Sequence, residues 1–205
     1  MNAEALLPDP PEAPPPAACQ PDWRRHTFTT DHIREMLAHG ILHDDDPVEF
    51  LCGELHPVSP QSAPHANLFS RIYRLLSRRY PDAYWLTGQV PLVCGVESLP
   101  EPDLLVLRND DCQTEDRHPR ADEVVLVIEV ARTSHQRDHW KAGLYAEGGI
   151  PEYWLIDLPA RRVEVYQDPR PAEGRYAALR ILAADAPLKL PELDQAIQVA
   201  DLFPA

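Results

Sequence analysis

The feature that most constrains this chain is an apolar run, VVLVIEVA, that carries one carboxylate and leads directly into a polar segment. Residues 124–128 and Val130 are apolar, and Glu129 lies between them. A continuous apolar run of this length predicts a strand buried on both faces, which is typical of the centre of an α/β sheet. Burying an unpaired carboxylate is costly, so Glu129 is expected to have a partner or to belong to a site. Because ligands bind where the strands of such sheets end, we predict that Glu129 lies at the mouth of a site.

The surrounding pattern predicts an α/β fold with a mixed central sheet flanked by helices, preceded by an N-terminal helix and a β-hairpin. Helical spacing of apolar residues, caps and glycine stops predict three helices, at residues 28–41, 64–80 and 137–147. Alternating or continuous apolar runs predict the hairpin at residues 47–59 and strands within residues 83–93, 101–108, 123–131, 151–158, 161–167, 174–182 and 195–203.

The 205 residues are expected to form one domain with a tail. Residues 1–22 contain seven prolines and no lysine or arginine, which predicts a disordered acidic tail, and residues 23–205 are assigned to the single domain. Without a signal peptide or an 18-residue apolar stretch, the protein is expected to be soluble and cytoplasmic, with no membrane partner. Its four cysteines are scattered, which favours free thiols. A net charge of −14 argues against a surface that binds duplexes without specificity.

A second carboxylate, Asp103, stands at the start of another apolar strand. An antiparallel neighbour of the Glu129 strand would place its start beside the end of that strand, so the two carboxylates would converge. A divalent cation, a shared proton or a base would relieve their repulsion, and a cation is the natural solution. On the following helix, Asp138, Lys141 and Tyr145 share one face, from which the Lys141 ammonium could reach a group bound by the carboxylates. Two plainer alternatives stay open: Asp103 as a turn residue after Pro102, and Lys141 in a surface ion pair with Asp138.

The segments VEFLCGEL, PHANLFSRIYRLL, EPDLLVLR, VVLVIEVARTSHQRDHWKAGLYAEGGIPEYWLIDL and VADLF together resemble the Uma2 family over about residues 26–203. That family has the restriction-endonuclease-like fold of the PD-(D/E)xK nuclease superfamily. The resemblance implies that Pro102-Asp103 is the PD element and that Glu129 is the (D/E) element. The usual lysine position is Ala131 here, and the family pattern places its lysine on the next helix, at Lys141.

The resemblance further implies metal-dependent hydrolysis of phosphodiester bonds in a nucleic acid substrate. Asp103, Glu129 and the carbonyl of Val130 would hold Mg²⁺ or Mn²⁺, and Lys141 would position the attacking water. Two more positions match polar residues of the pattern: Glu54, which could support a second metal or a water, and His65, which could contact the scissile phosphate. A homodimer would suit an enzyme that cuts both strands of a duplex.

Three alternatives stay open at this point. His135 and His139 are spaced i, i+4 and could bind zinc, although the glutamate of H-E-x-x-H is missing. The arginines of the second helix, between residues 71 and 79, form either a solvated face or a phosphate-facing patch. Finally, a non-catalytic binding or regulatory module could retain the fold, because fold does not determine function.

Overall fold

The computed structural model describes residues 26–108 and 117–204. The proline-rich tail predicted for residues 1–22 lies outside the described residues, as do Cys19 and Cys112. The helices are α1 (Thr30–Ala38), α2 (Ala63–Leu76), α3 (His135–Glu147) and α4 (Val199–Leu202). The strands are β1 (Val48–Leu51), β2 (Glu54–Pro57), β3 (Tyr84–Thr87), β4 (Leu104–Arg108), β5 (Val124–Ala131), β6 (Glu152–Asp157), β7 (Arg162–Arg170), β8 (Arg175–Leu182), β9 (Pro187–Lys189) and β10 (Ala196–Gln198).

The predicted mixed sheet is confirmed. Six strands pair in the order β3-β4-β5-β6-β7-β8, and the pairing is antiparallel everywhere except between β5 and β6. Helix α3 makes the crossover that a parallel pair requires. All eight residues of β5 are buried, including Glu129, which agrees with a strand covered on both faces.

The sheet is covered by different elements on its two faces. Helices α2 and α4, with the β9–β10 ribbon, pack on one face around Leu68, Ile72 and Trp154. Helix α3 packs on the other face around Tyr145 and Tyr153, beside residues of the β1–β2 hairpin. This arrangement leaves the start of β4 and the ends of β5 and β6 together at one edge.

Local sequence signals set most element boundaries. Thr29 accepts from the backbone N–H of His32 and caps α1, and α2 has a proline in its first turn. Helix α3 ends at Gly148, and Gly149 follows with φ +73°, a left-handed conformation that favours glycine.

The last predicted strand is confirmed only in part. The strand predicted within residues 195–203 ends at Gln198, where the chain turns into α4 because the Asp201 carboxylate accepts from the Gln198 N–H. Trp140 of α3 lies at the surface and is 48% exposed. Among the described residues, no helix is both long and apolar enough to cross a bilayer.

Candidate active site

Asp103 and Glu129 meet at the edge of the sheet. The antiparallel register pairs Leu104 with Ile128, so the residues just before β4 and just after Ile128 lie opposite each other. The Asp103 backbone N–H donates to Glu129 Oε2 at 3.2 Å, and the Val130 N–H donates to Asp103 Oδ2 at 2.8 Å. Both side chains are buried, at 8% and 4% exposure. The antiparallel pairing expected from the sequence therefore brings the two carboxylates together.

Lys141 reaches the same point from the second turn of α3. Its ammonium donates to Glu129 Oε1 at 2.9 Å and lies 2.7 Å from Glu49 Oε1. The Lys141 side chain is only 6% exposed. The alternative of a surface ion pair between Asp138 and Lys141 is wrong, because both side chains are buried and Lys141 pairs with two other carboxylates.

Two other polar residues on this face of α3 belong to the same site. The Tyr145 hydroxyl donates to Glu129 Oε1 at 2.8 Å, so this oxygen accepts from both the tyrosine and the lysine. The Asp138 carboxylate accepts from the Ser134 hydroxyl at 2.5 Å. Helical spacing thus delivers Asp138, Lys141 and Tyr145 to one site, as the sequence indicates.

Glu49, rather than Glu54, supplies the hairpin's carboxylate to the site. The β1–β2 register pairs Leu51 with Glu54 at the turn, whereas Glu49 is buried at 3% and lines the cleft. One Glu49 oxygen accepts from the Glu101 N–H at 2.8 Å, and the other is bound by Arg137. Glu54 is not among the residues that line the cleft. A sequence signal for Glu49 exists, since VEFL places a carboxylate inside an apolar strand just as VVLVIEVA does.

His65 contacts Asp103 from the first turn of α2. Its Nε2 lies 2.9 Å from Asp103 Oδ2, and the Gln61 amide lies 3.4 Å from Asp103 Oδ1. The hydrogen bond to Asp103 raises the pKa of His65 above its ordinary value, although burial opposes the shift. The Nδ1 atom of His65 is buried and has no hydrogen-bond partner among the described residues.

Gly88 makes room for Asp103. A Cβ atom at this position would lie 2.1 Å from the Asp103 carbonyl oxygen and 2.9 Å from the Phe69 ring. Backbone atoms cannot yield at so short a distance without a shift of the chain. The small residue after β3 therefore fixes how closely the start of β4 approaches, which the sequence alone did not reveal.

Burial dominates the electrostatics of the site. Desolvation raises the pKa of Glu129 to about 8, the Lys141 ammonium counteracts part of that shift, and the Asp103 carboxylate adds to it. Glu129 and Glu49 together raise the pKa of Lys141 above its ordinary value, although burial acts in the opposite direction. Lys141 is therefore an ammonium ion throughout the neutral range.

The cleft has a volume of about 860 Å³ and an acidic lining. Five carboxylates face three lysine or arginine cations: the acids are Glu49, Glu101, Asp103, Glu129 and Asp138, and the cations are Arg132, Arg137 and Lys141. Such a surplus of carboxylates favours a divalent cation.

The donor set at the sheet edge fits a small, hard cation. Asp103 and Glu129 offer carboxylate oxygens, and the Val130 carbonyl points to the same side of β5 as its N–H, which faces Asp103. Within the described ranges, no three His, Cys, Asp or Glu side chains stand in a metal-binding arrangement. Two carboxylates with waters are nevertheless a common way of binding Mg²⁺.

The structure separates the two candidate zinc ligands. His135 Nε2 lies 3.1 Å from Asp157, and His139 Nε2 lies 2.8 Å from Glu164, so each ring faces a different carboxylate. The arginines between residues 71 and 79 do not line the cleft, and Arg71 instead donates to the Asp201 carbonyl at 3.0 Å. Among the described residues, His65 is the one member of α2 that lines the cleft.

Comparison with known proteins agrees with this architecture. The family model Uma2, described as "putative restriction endonuclease", matches residues 33–200. The fold is similar to that of a crystal structure from Anabaena variabilis described as a putative nuclease belonging to DUF820, with a TM-score of 0.68 and 17% sequence identity. The similarity covers 86% of this chain and 97% of that chain. No functionally curated protein matches the sequence. Because the family model spans most of the chain, the protein belongs to the Uma2 family.

Proposed function

We propose that this protein is a metal-dependent nuclease that hydrolyses phosphodiester bonds of nucleic acid. The observation that carries the proposal is the convergence of Asp103, Glu129 and Lys141 in one acidic cleft. Membership of a family described as restriction endonucleases supports the same reaction class. A buried constellation of two carboxylates and an ammonium at a sheet edge is costly to maintain, which favours a functional role over a structural one.

Asp103 and Glu129, with the Val130 carbonyl, are the residues that would hold Mg²⁺ or Mn²⁺. When bound, such a cation supplies charge stabilisation at a phosphate oxygen and lowers the pKa of a bound water. Glu49 is 2.7 Å from Lys141 and is also bound by Arg137, so its charge is balanced by cations of the protein. Glu49 is therefore better placed to hold the Lys141 ammonium than to bind the metal directly.

Lys141 acts as a donor and a positive charge, and it does not act as a base. Its raised pKa keeps the ammonium protonated, and an ammonium has three N–H groups. Two of them are directed at Glu49 and Glu129, which leaves the third for a water or a phosphate oxygen in the cleft. Tyr145, which shares the Glu129 Oε1 acceptor, fixes the orientation of that carboxylate.

His65 supports Asp103 and is not placed to contact the reacting phosphate directly, as the resemblance implied. Its Nε2 lies 2.9 Å from Asp103 Oδ2, and its Nδ1 is buried. The raised pKa favours the protonated ring, which would orient the Asp103 carboxylate and balance part of its charge.

Digestion of a panel of nucleic acids tests the proposal. The protein is incubated with duplex DNA, single-stranded DNA and single-stranded RNA in Mg²⁺, in Mn²⁺ and in EDTA. We expect cleavage of at least one substrate with metal, none in EDTA, and loss of cleavage in Glu129→Gln. Cleavage by Glu129→Gln at the rate of the unsubstituted protein would overturn the residue assignment.

A non-catalytic binding or regulatory module is the second candidate, and the acidic cleft favours it, because five carboxylates repel a phosphate backbone when no metal is bound. Calorimetric titration with Mg²⁺ and Mn²⁺ distinguishes the two. Heat of binding at millimolar metal favours the nuclease, and its absence favours the module.

A further inference from the structure

Two adjacent loops beside the cleft, each taken with its flanking residues in β5, α3 or β7, carry basic side chains without any acidic ones. Residues 131–137 and 158–162 contain four arginines and one histidine and no Asp or Glu, in a chain with 33 acidic and 19 basic residues. The carboxylates that flank these segments, Asp138 and Asp157, are buried at 5% and 4% exposure. The edge of the sheet therefore presents positive charge on a strongly acidic protein.

The two loops are joined to each other. The Leu158 N–H donates to the Ala131 carbonyl at 2.9 Å. The Asp157 carboxylate lies 3.1 Å from His135 Nε2 and 3.1 Å from Arg162 Nε, so it links α3 to the start of β7. The loops consequently form one surface.

Arg132, Arg161 and Arg162, which we call the arginine rim, are the exposed cations of this surface. Arg132 lines the cleft and forms no ion pair with any described residue. Arg161 donates to the Pro204 carbonyl at 2.7 Å and stacks over Phe203, two contacts that order its guanidinium without neutralising it. Arg162 is paired with buried carboxylates, but its side chain is still 41% exposed.

We propose that the arginine rim binds the sugar-phosphate backbone of the nucleic acid next to the phosphate that occupies the cleft. This inference rests on the proposed nuclease function, because continuity with the cleft identifies the polyanion as a nucleic acid. Thr133 also lines the cleft between Arg132 and α3, and its hydroxyl is a suitable phosphate donor. A strand that leaves the cleft over the ends of β5 and β6 would pass Arg132 first and Arg161 next.

Phosphate neutralisation has a quantitative signature in salt dependence. Each phosphate contact contributes about 0.9 to the slope of log K against log salt concentration for a duplex, and about 0.7 for a single strand. The double variant Arg132→Gln/Arg161→Gln removes two contacts and should therefore reduce the slope by about 1.8 with duplex and by about 1.4 with single-stranded nucleic acid. At 0.1 M salt the same relation predicts an affinity loss of at least roughly tenfold.

The test measures fluorescence anisotropy of labelled 20-nucleotide duplex DNA, single-stranded DNA and single-stranded RNA in EDTA, from 25 to 200 mM salt. The matched control is Arg78→Gln/Arg79→Gln, which removes the same charge from two exposed residues just beyond the end of α2, away from the cleft. For every nucleic acid that binds, we expect the rim variant to have a lower affinity and a smaller slope of log K against log salt concentration. The control variant should show neither change.

Arg132→Gln alone guards against a folding defect, because Arg132 is exposed and forms no ion pair with any described residue, and it should give about half the change in slope. Equal losses in the rim and control variants, or no binding by the unsubstituted protein at the lowest salt, would overturn the proposal. Rim-dependent binding without any metal-dependent cleavage would instead refute the nuclease and leave the binding surface standing.

Discussion

Replacement of Lys141 by methionine should show how far the site depends on one buried cation. Methionine fills a similar volume without charge, so the packing of α3 is largely preserved. The substitution removes the cationic partner of Glu129 at 2.9 Å and one of the two cationic partners that the described residues provide for Glu49. Breaking a buried ion pair by removing one side costs about 3–5 kcal/mol. That cost is a large fraction of a typical folding free energy of about 5–15 kcal/mol.

The loss of folding free energy in Lys141→Met should depend on pH, because Glu129 becomes neutral when it binds a proton. Its pKa in the folded protein is raised to about 8, above the ordinary value of 4.5, so the folded state binds this proton more tightly than the unfolded state. The corresponding stabilisation is complete below pH 4.5 and is lost as pH rises towards 8. Without Lys141 the pKa rises further, and each added unit increases the cost at high pH by about 1.4 kcal/mol.

Urea unfolding in EDTA at pH 6 and pH 9 measures this effect. We expect Lys141→Met to lose about 3–5 kcal/mol at pH 9 and clearly less at pH 6. In a double-mutant cycle at pH 9, Glu129→Gln should cost much less in the Lys141→Met background than in the unsubstituted protein. A loss below about 1 kcal/mol at pH 9, or strictly additive effects, would refute the buried ion-pair reasoning.

Three other substitutions or additions test separate parts of the site. Tyr145→Phe removes one donor to Glu129 and should cost about 1–3 kcal/mol in urea unfolding, whereas an unchanged midpoint would show that the hydrogen bond contributes nothing. Gly88→Ala should destabilise the protein by about 1–3 kcal/mol through its clash with the Asp103 carbonyl, while the control Gly148→Ala, with its nearest contact at 3.4 Å, should be nearly neutral. Addition of 10 mM Mg²⁺ should raise the melting temperature of the unsubstituted protein by a few degrees, and the same shift in Asp103→Asn would place the metal elsewhere.

The sequence predicts the central part of the fold well because its signals there are local. The apolar run of β5, the helical spacing of α3 and the glycine stop after it require no long-range information, and the hairpin is marked by Cys52-Gly53. The end of the chain is harder to predict, because residues 195–203 are apolar enough for one strand, whereas the Asp201 cap ends β10 at Gln198 and begins α4.

The site could be predicted only where one strand or one helix determines the geometry. Lys141 follows from the face that it shares with Tyr145, and Asp103 follows from antiparallel pairing. The choice between Glu49 and Glu54 depends on how the hairpin packs against α3, and the local signal for it is the apolar strand VEFL around Glu49. The two residues belong to one hairpin, and its packing buries Glu49 next to Lys141.

We propose that Asp103 and Glu129 form a cation site that cleavage requires. Single-turnover cleavage of the best substrate across a Mg²⁺ titration, with unsubstituted protein and an Asp103→Asn variant of equal unfolding midpoint, measures this dependence. We expect saturable Mg²⁺-dependent cleavage by the unsubstituted protein and a loss of at least about a hundredfold in the variant. Cleavage by the variant with the same rate and the same Mg²⁺ midpoint would show that Asp103 does not hold the cation.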